Sequence, residues 1–346
     1  MKNGTKVKLK RAILILLIIV FLGIGSGVFL LYGPVKTFRE WWITTAMTTM
    51  THKYLATWFY GDQTIESVLA KNSVEELEGE TNTNLIVAIS NNSSTNIKQY
   101  ENEYEREILE RNSDNKNYKI IEIKGKGYTG YMAVIYDASK IKVASSKKLG
   151  ETGEYLTQIA KDNNALVAIN AGGFFDEGYS SNGASPLGLT IQNGKTLTSH
   201  PYTSSGGLVG FTKDNKLFLG RINEAKAKEI GIRDGVTFGP YLIINGEEAE
   251  IKGNGGWGTA PRTAIGQRQD GIVLFLVLDG RLVSRPGATM SDIREIMQRY
   301  GAYNAANLDG GTSSGMVVNG ELINDPIDSK GRHRTRYIPT AFIVTK

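Results

Sequence analysis

Four short segments carry most of the chemistry open to this chain. NAGGFFDEG (170–178) follows the apolar run ALVAI, DGRLVSRPG (279–287) follows IVLFLVL, and DGGTSSG (309–315) follows AANL. The fourth, TAPRTAIG (259–266), sets Arg262 at the head of an apolar run. Strand ends are where a rigid scaffold displays reactive side chains. Glycines beside them let a ligand approach the main chain and expose N–H donors that suit an anionic oxygen. Arginine adds a planar fork of donors for a phosphate or a carboxylate. Cysteine is absent, which excludes a thiolate nucleophile and a cysteine metal site. The three histidines, His52, His200 and His333, are too few and too scattered to argue for a multi-histidine metal centre.

Each segment also has a plainer reading. An Asp-Gly after a strand is commonly a turn, and Asp270-Gly271 is read that way. Asp279-Gly280 stands between the two readings, because LVSRPGA rather than a clean second strand follows. Asp309 is set apart, since DGGTSS is richer in glycine and hydroxyls than a turn requires. Arg262 alone reads as a structural cation and Asn170 alone as a capping residue; the combination is what points to a site. GTSSG (311–315) matches G-x-S-x-G with Ser313 at the nucleophile position, but that motif needs a strand before it and a helix after it. Here the hairpin-like GMVVNGELI follows, and the one downstream histidine is His333. A triad of Ser313, His333 and Asp325 or Asp328 is therefore a minor reading.

These residues need a scaffold. YKIIEIKGKGYTGYMAVIYDASKIKVA (118–144) gives two strand-like runs joined by GKGYTG. GEYLTQIAKDN (153–163) has helical spacing, and ALVAIN is a short strand ending at Asn170. Strand–turn–strand units then recur in GLTIQNGKTL, LVGFTKDNKLFLG, GPYLIINGEEAEI, AIGQRQDGIVLFLVLDG and GMVVNGELI. Asn-Gly, Asp-Asn and Asp-Gly at their centres tolerate positive φ and suit two-residue hairpin loops. TMSDIREIMQRYG (289–301) predicts a helix capped by Ser291 and stopped by Gly301. The fold class expected is α+β: one strand-rich catalytic domain over 118–346 with several β-hairpins and a few helices, preceded by one N-terminal transmembrane helix.

Lys2, Lys6, Lys8, Lys10 and Arg11 account for the whole net charge of +5, so the rest of the chain is neutral. A neutral body offers no electrostatic footprint for nucleic acid. Residues 12–32, AILILLIIVFLGIGSGVFLLY, carry no charge and as a helix span about 30 Å, the thickness of a bilayer's hydrocarbon core. The run is longer than that of a cleaved signal peptide. The positive-inside rule makes 1–11 a cytoplasmic tail, 12–32 a transmembrane signal anchor and the rest extracellular, as expected of a single-pass protein of a bacterial cell membrane. Residues 33–77 are expected to form a juxtamembrane or stalk helical segment. Within it, 35–60 holds Trp41, Trp42 and Trp58, which fit either the headgroup layer or packing against the body or a membrane protein partner. Residues 78–117 read as a polar linker with one solvated helix near 98–111 and a stray strand in NLIVAI (84–89).

Taken in order, NAGGFF, APRTAIG, LDGGTSSGMVVNG and the closing IPTAFIV resemble the phosphodiester glycosidase family. That family includes the enzyme removing N-acetylglucosamine from the mannose-6-phosphate tag and many bacterial proteins labelled exopolysaccharide-related. The resemblance covers roughly 120–346; DGGTSS carries threonine where many members have a third glycine. It implies hydrolysis of a sugar-1-phosphodiester in cell-surface polysaccharide or glycolipid. Arg262 and the amides of Gly310 and Gly311 would hold the phosphodiester charge. Asp309 and Asp279 would face an oxocarbenium-like transition state or handle protons, with Asp176 in reserve. Asn170, Thr312, Ser313 and Ser314 would bind sugar hydroxyls or phosphate, and Gly172 and Gly173 would line the site. Trp257, in the glycine-rich loop GNGGWG (253–258), is a stacking candidate. Phe174 and Phe175 are a sugar platform or core plugs, and Arg332 and Arg334 an anion site or a solvated basic loop. No cofactor is implied; a divalent ion between Asp309 and phosphate would have no ligand cluster to support it. The competing readings are a non-catalytic polysaccharide-binding accessory protein, which uses 35–60 to recruit a membrane partner, and a serine esterase acting through Ser313.

Overall fold

Pro34 and the glycine before it end the first helix, Lys2–Tyr32, where Gly33 N–H donates to the Phe29 carbonyl at 2.8 Å. The computed structural model describes residues 2–48, 52–87, 100–112, 117–175, 182–202, 206–328 and 330–346. It divides into two compact units, Met1–Lys71 and Asn72–Lys346. In the first unit, the Lys8–Tyr32 stretch is long and apolar enough to cross a membrane, and none of it is buried by protein. Helices Lys36–Thr48, Tyr54–Thr57 and Asp62–Lys71 pack around Ile43, Ala46, Ala56, Tyr60, Ile65 and Val68. Two hydrogen bonds tie this bundle to the end of the long helix. Tyr60 Oη donates to the Leu31 carbonyl at 2.7 Å, and Tyr32 Oη to the Phe59 carbonyl at 3.0 Å.

The second unit is strand-rich, with its strands among the described residues in four sheets. The largest runs Glu247–Glu248, Tyr241–Ile244, Ala302–Leu308, Arg262–Arg268, Val273–Leu278, Tyr128–Ile135, Tyr118–Gly125, every pair antiparallel. A five-stranded sheet orders Glu321–Leu322, Met316–Val318, Val167–Asn170, Thr340–Val344 and Ile141–Ser145. A second orders Lys195–Ser199, Leu189–Gln192, Ile232–Phe238, Gly207–Thr212 and Leu217–Gly220, and Ser73–Glu75 pairs with Glu250–Lys252. The inner faces of the three larger sheets meet in one core, where the Phe342 ring lies 6.1 Å from that of Phe211 and 6.3 Å from that of Phe275. Helix Met290–Arg299 covers the outer face of the seven-stranded sheet, and helix Leu156–Asp162 that of the first five-stranded sheet. A strand covered on both faces has no reason to alternate, which is why Val273–Leu278 reads VLFLVL.

The Asn-Gly hairpins form as the sequence predicts, with Asn193, Asn245 and Asn319 each at positive φ before its glycine. Other features differ. Helix Met290–Arg299 is capped by Thr289 rather than Ser291: Thr289 Oγ1 accepts from Asp292 N–H while the Asp292 carboxylate accepts from Thr289 N–H. That reciprocal box satisfies two end donors at once, which a lone Ser291 cap cannot do. The described parts of the 78–117 segment are also not free. Thr81 N–H donates to the Leu219 carbonyl at 2.9 Å, and Ile86 is buried. Helix Glu103–Leu109 buries Ile108 completely, its carbonyl accepting from Tyr136 Oη at 2.8 Å. One apolar residue per short helix carries too little periodicity to be read as packed. NLIVAI begins within the 3-10 turn Thr83–Leu85 and forms no strand over residues 84–87, and residues 88–89 lie outside the described ones.

Candidate functional site

Strand register gathers the quoted segments at one end of the seven-stranded sheet. Arg262 pairs with Leu278 and Thr263 with Leu308, so Asp279 and Asp309 follow neighbouring strand ends on either side of the strand that Arg262 begins. Asp309 N–H donates to the Ala171 carbonyl at 3.1 Å, joining this sheet to the end of Val167–Asn170. Asn170, fully buried, fastens the joint. Its Nδ2 donates to the Asp309 carbonyl at 2.6 Å, and its Oδ1 accepts from Thr263 Oγ1 at 2.8 Å and Gly315 N–H at 3.1 Å. Asn170 thus holds the Asp309 backbone and faces no solvent.

Two arginines stand near the 309–313 segment. Arg336 Nη2 lies 3.7 Å from Asp309 Oδ2, with the carboxylate side chain 15% exposed and the arginine 31%. Arg336 Nε donates to Ser313 Oγ at 2.9 Å, and its guanidinium rests 4.2 Å above the Phe174 ring. Arg281 donates through Nη1 to Thr312 Oγ1 and to the Ile327 carbonyl. Burial first and Arg336 second pull its pKa down, while Asp328 and Asp309 oppose the shift. Arg281 sits at φ +69°, a left-handed conformation rare for a side chain of this size. Gly311 shares that region at +63°, and a Cβ on it would stand 3.0 Å from Arg281 Nη2. The two guanidiniums give the Asp309 surroundings donors suited to an anion. The Gly310 N–H has no partner among the described residues, whereas Gly311 N–H is engaged by the Pro261 carbonyl at 2.9 Å.

The remaining candidates take supporting places. Arg262 is buried and donates to three carbonyls, those of Ala288, Trp257 and Gly258, at 3.0, 2.7 and 2.9 Å. Burial lowers its pKa to about 10 against the pull of Asp292, so it stays charged at neutral pH and fastens the 253–258 loop. Trp257 is half-buried in that loop, its ring 6.3 Å from that of Phe238. Asp279 is 3% exposed and saturated: Asn324 Nδ2 and Asp325 N–H donate to it, and Arg285 Nη1 lies 3.4 Å away. Burial raises its pKa, and those donors and Arg285 oppose the rise. Ser313 and Ser314 are buried, the first holding Arg336. Gly172 N–H donates to Thr340 Oγ1 and Gly173 N–H to the Thr237 carbonyl. A Cβ on Gly172 would stand 2.9 Å from that of Val236, and one on Gly173 2.6 Å from the Phe238 ring, so close packing requires both glycines.

Phe174 is a core plug under Arg336, while Phe175 is exposed with its ring 5.7 Å from that of His200. Arg332 and Arg334 both donate to Asp328 Oδ2, at 2.7 and 2.9 Å, forming a clamp within their own loop. His333 Nδ1 contacts Asp325 Oδ1, and Arg285 bridges Asp325 to Asp279. An Asp–His pair therefore exists, but Ser313 is turned to Arg336 instead of His333. Asp176 lies outside the described residues. No group of three or more His, Asp or Glu side chains among the described residues could hold a metal ion. Arg281 and Arg336 are the residues the sequence did not mark. Arg281 stood inside the quoted DGRLVSRPG, but its left-handed backbone, which turns it toward Thr312, has no sequence signature. Arg336 closes KGRHRTR, a basic run read as loop-like, in which only Arg332 and Arg334 were weighed as anion binders.

The model of the phosphodiester glycosidase family matches residues 163–345, just over half of the chain. A prophage-derived uncharacterized protein of Bacillus subtilis, YomE, is 32% identical over 204 residues, 56% of this chain and 30% of that protein. Bovine N-acetylglucosamine-1-phosphodiester alpha-N-acetylglucosaminidase is 27% identical over 192 residues, 49% of this chain and 34% of the enzyme. The chain thus spans about a third of the length of these curated relatives. The pro-peptide-inhibited catalytic domain of the zebrafish enzyme of that name superposes with a TM-score of 0.56 at 21% identity. The match covers 66% of this chain and 82% of the zebrafish domain, and it establishes a shared fold. With the family model matched over more than half of its length and its fold shared with that domain, the chain belongs to the phosphodiester glycosidase family.

Proposed function

We propose that this chain is a membrane-anchored extracellular hydrolase of sugar-1-phosphodiesters of the N-acetylglucosamine-1-phosphate type, in cell-surface polysaccharide or glycolipid. The observation that carries the reading is Asp309 beside Arg336, with Arg281 held against Thr312 three residues on, in a family fold. The lone charge of a phosphodiester suits a site with two guanidiniums and the Gly310 amide. With the phosphate seated there, the Asp309 carboxylate faces the anomeric carbon and stabilises the positive charge that develops as the C1–O bond breaks. Phosphate monoester is a weakly basic leaving group, so departure needs little protonation, and water completes the sugar hydroxyl. Asp279 holds the 324–325 segment and, through Arg285, the Asp325–His333 pair, a positioning role. The apolar Lys8–Tyr32 helix behind a basic head supports anchorage with the second unit outside.

The test uses the full chain in detergent micelles with a panel of sugar-1-phosphodiesters in ¹⁸O-labelled water. Release of free N-acetylglucosamine carrying the label on the sugar is expected. Label on the phosphate would mean P–O cleavage and overturn the glycosidase mechanism. Glycan binding with no turnover across the panel would replace it with a polysaccharide-binding accessory role.

A further inference from the structure

The first unit leaves one question that the hydrolase site does not answer. Its small bundle buries Tyr60 among aliphatic side chains yet leaves the Tyr54 and Trp58 rings outside. Ile43, Ile65 and Val68 are buried, and Trp42 is drawn in by its Nε1, which donates to the Leu55 carbonyl at 2.6 Å. Trp58 is 75% exposed, with the exposed Tyr54 ring 4.7 Å away. An exposed Tyr–Trp pair loses hydrophobic stabilisation in water, whereas at a lipid headgroup layer the ring bodies meet apolar chains and the Oη and Nε1 stay wet.

The height of this pair follows from the bonds that fasten the bundle. The Phe59 carbonyl accepts from Tyr32, and Tyr60 donates to the Leu31 carbonyl. Residues 59–60 are therefore level with the last turn of the apolar helix, and Trp58 is the next residue in the chain. A helix that crosses the hydrocarbon core ends where the headgroups begin.

We infer that the Met1–Lys71 unit is a membrane-surface collar in which Tyr54 and Trp58 lie in the phospholipid headgroup layer at the end of the span. The inference rests on the anchor in the proposed function and commits to lipid as the occupant of this edge. It gives the collar a task that a flexible stalk cannot do: Tyr32, Tyr60 and the inserted ring pair together fix the bundle against the bilayer surface.

The experiment reconstitutes the full chain into phosphatidylcholine–phosphatidylglycerol vesicles bearing a spin label either on the headgroup or deep in the acyl chain. Tryptophan emission is expected to be quenched more by the headgroup label than by the deep one, and Trp58→Phe is expected to lose most of that component. The substitution is at an exposed side chain, so far-ultraviolet circular dichroism should match the parent. A headgroup-quenched fraction unchanged in Trp58→Phe, in vesicles that resist carbonate extraction, would overturn the inference and leave the anchor standing. Extraction of the parent by carbonate would overturn both. Loss of the quenched component without any change in hydrolysis by detergent-solubilised enzyme separates this surface from the hydrolase site.

Discussion

Asp309 and Asp279 follow the strands that flank Arg262–Arg268, and in sequence both are an aspartate followed by glycine after an apolar run. Their surroundings differ. Asp279 is almost wholly buried and its oxygens are engaged by Asn324, the Asp325 amide and Arg285. Asp309 stays partly open beside the two guanidiniums of Arg281 and Arg336. A carboxylate saturated by donors from its own protein has little left for a substrate, whereas a partly open one beside guanidinium donors can meet an anionic ligand's reacting carbon. The comparison separates a partly open carboxylate from one engaged by its own loops, where the sequence set Asp309 apart and left Asp279 between two readings.

The largest effect expected is at Asp309. Asp309→Asn keeps size and the Asn170 clasp, which uses the main-chain carbonyl, and should lower kcat/KM by about 10³-fold. Asp279→Asn should retain far more turnover than that, measured on the same substrate at the same pH. Equal losses in two variants of parental melting temperature would break the comparison and make both aspartates catalytic. Next come the arginines. Arg336→Gln or Arg281→Gln removes a charge-assisted contact of about 1.5–3 kcal/mol, a loss of about 10–100-fold in kcat/KM. Methylphosphonate or inorganic phosphate should inhibit the parent more strongly than either variant. Undiminished inhibition in both would move the anion site elsewhere.

How far the sequence could lead is visible in these same residues. The hairpins, the 156–162 helix and the polar segments at the ends of strands were legible because turn glycines, apolar periodicity and strand ends are local signals. Roles within the site were not. Arg262 and Arg336 are both arginines near glycine-rich loops, and only register sends the first to three backbone carbonyls and the second to Asp309. Asn170 and the glycines 172–173 were marked as substrate-binding, and the structure gives them a long-range packing reason: they join two sheets whose pairing no local pattern encodes. The packed segments around Ile86 and Ile108 escaped notice for the same cause, one buried apolar side chain in each polar stretch.

A smaller effect sharpens the comparison through pH. Burial raises the Asp279 pKa in the fold, so folded protein binds a proton there at pH values where the unfolded chain, at about 3.9, has begun to release it. That contribution to stability grows as pH falls through the raised value towards about 4 and weakens as pH rises. Asp328 is the opposite case. Burial works against its charge, yet the Arg332 and Lys330 amides and the Arg334 and Arg332 guanidiniums hold its carboxyl well below the usual range. Its contribution is full above about 4 and is lost as pH falls towards the folded value. Melting temperatures from pH 7 down to 3.5 should therefore show the destabilisation by Asp279→Asn growing relative to the parent and that by Asp328→Asn shrinking. Parallel curves for the two variants would remove the electrostatic distinction between the saturated knot and the clamp.

The smallest effect expected is at Ser313, and it decides the reading that its G-x-S-x-G frame invites. Its hydroxyl is buried and accepts from Arg336 Nε at 2.9 Å, so its part is to aim a guanidinium at Asp309. Ser313→Ala removes one hydrogen bond of about 1 kcal/mol and should lower kcat/KM by only about fivefold, with the loss in KM as Arg336 loosens. A serine nucleophile behaves otherwise: its removal costs about 10⁶-fold in kcat, and it labels with a fluorophosphonate. His333 supplies the second arm of the same test. It touches Asp325 and lies largely in solvent, so His333→Ala should leave turnover near that of the parent. Collapse of activity in both variants, with covalent labelling at Ser313, would shift the chemistry from the carboxylate at the end of one strand to the hydroxyl four residues beyond it.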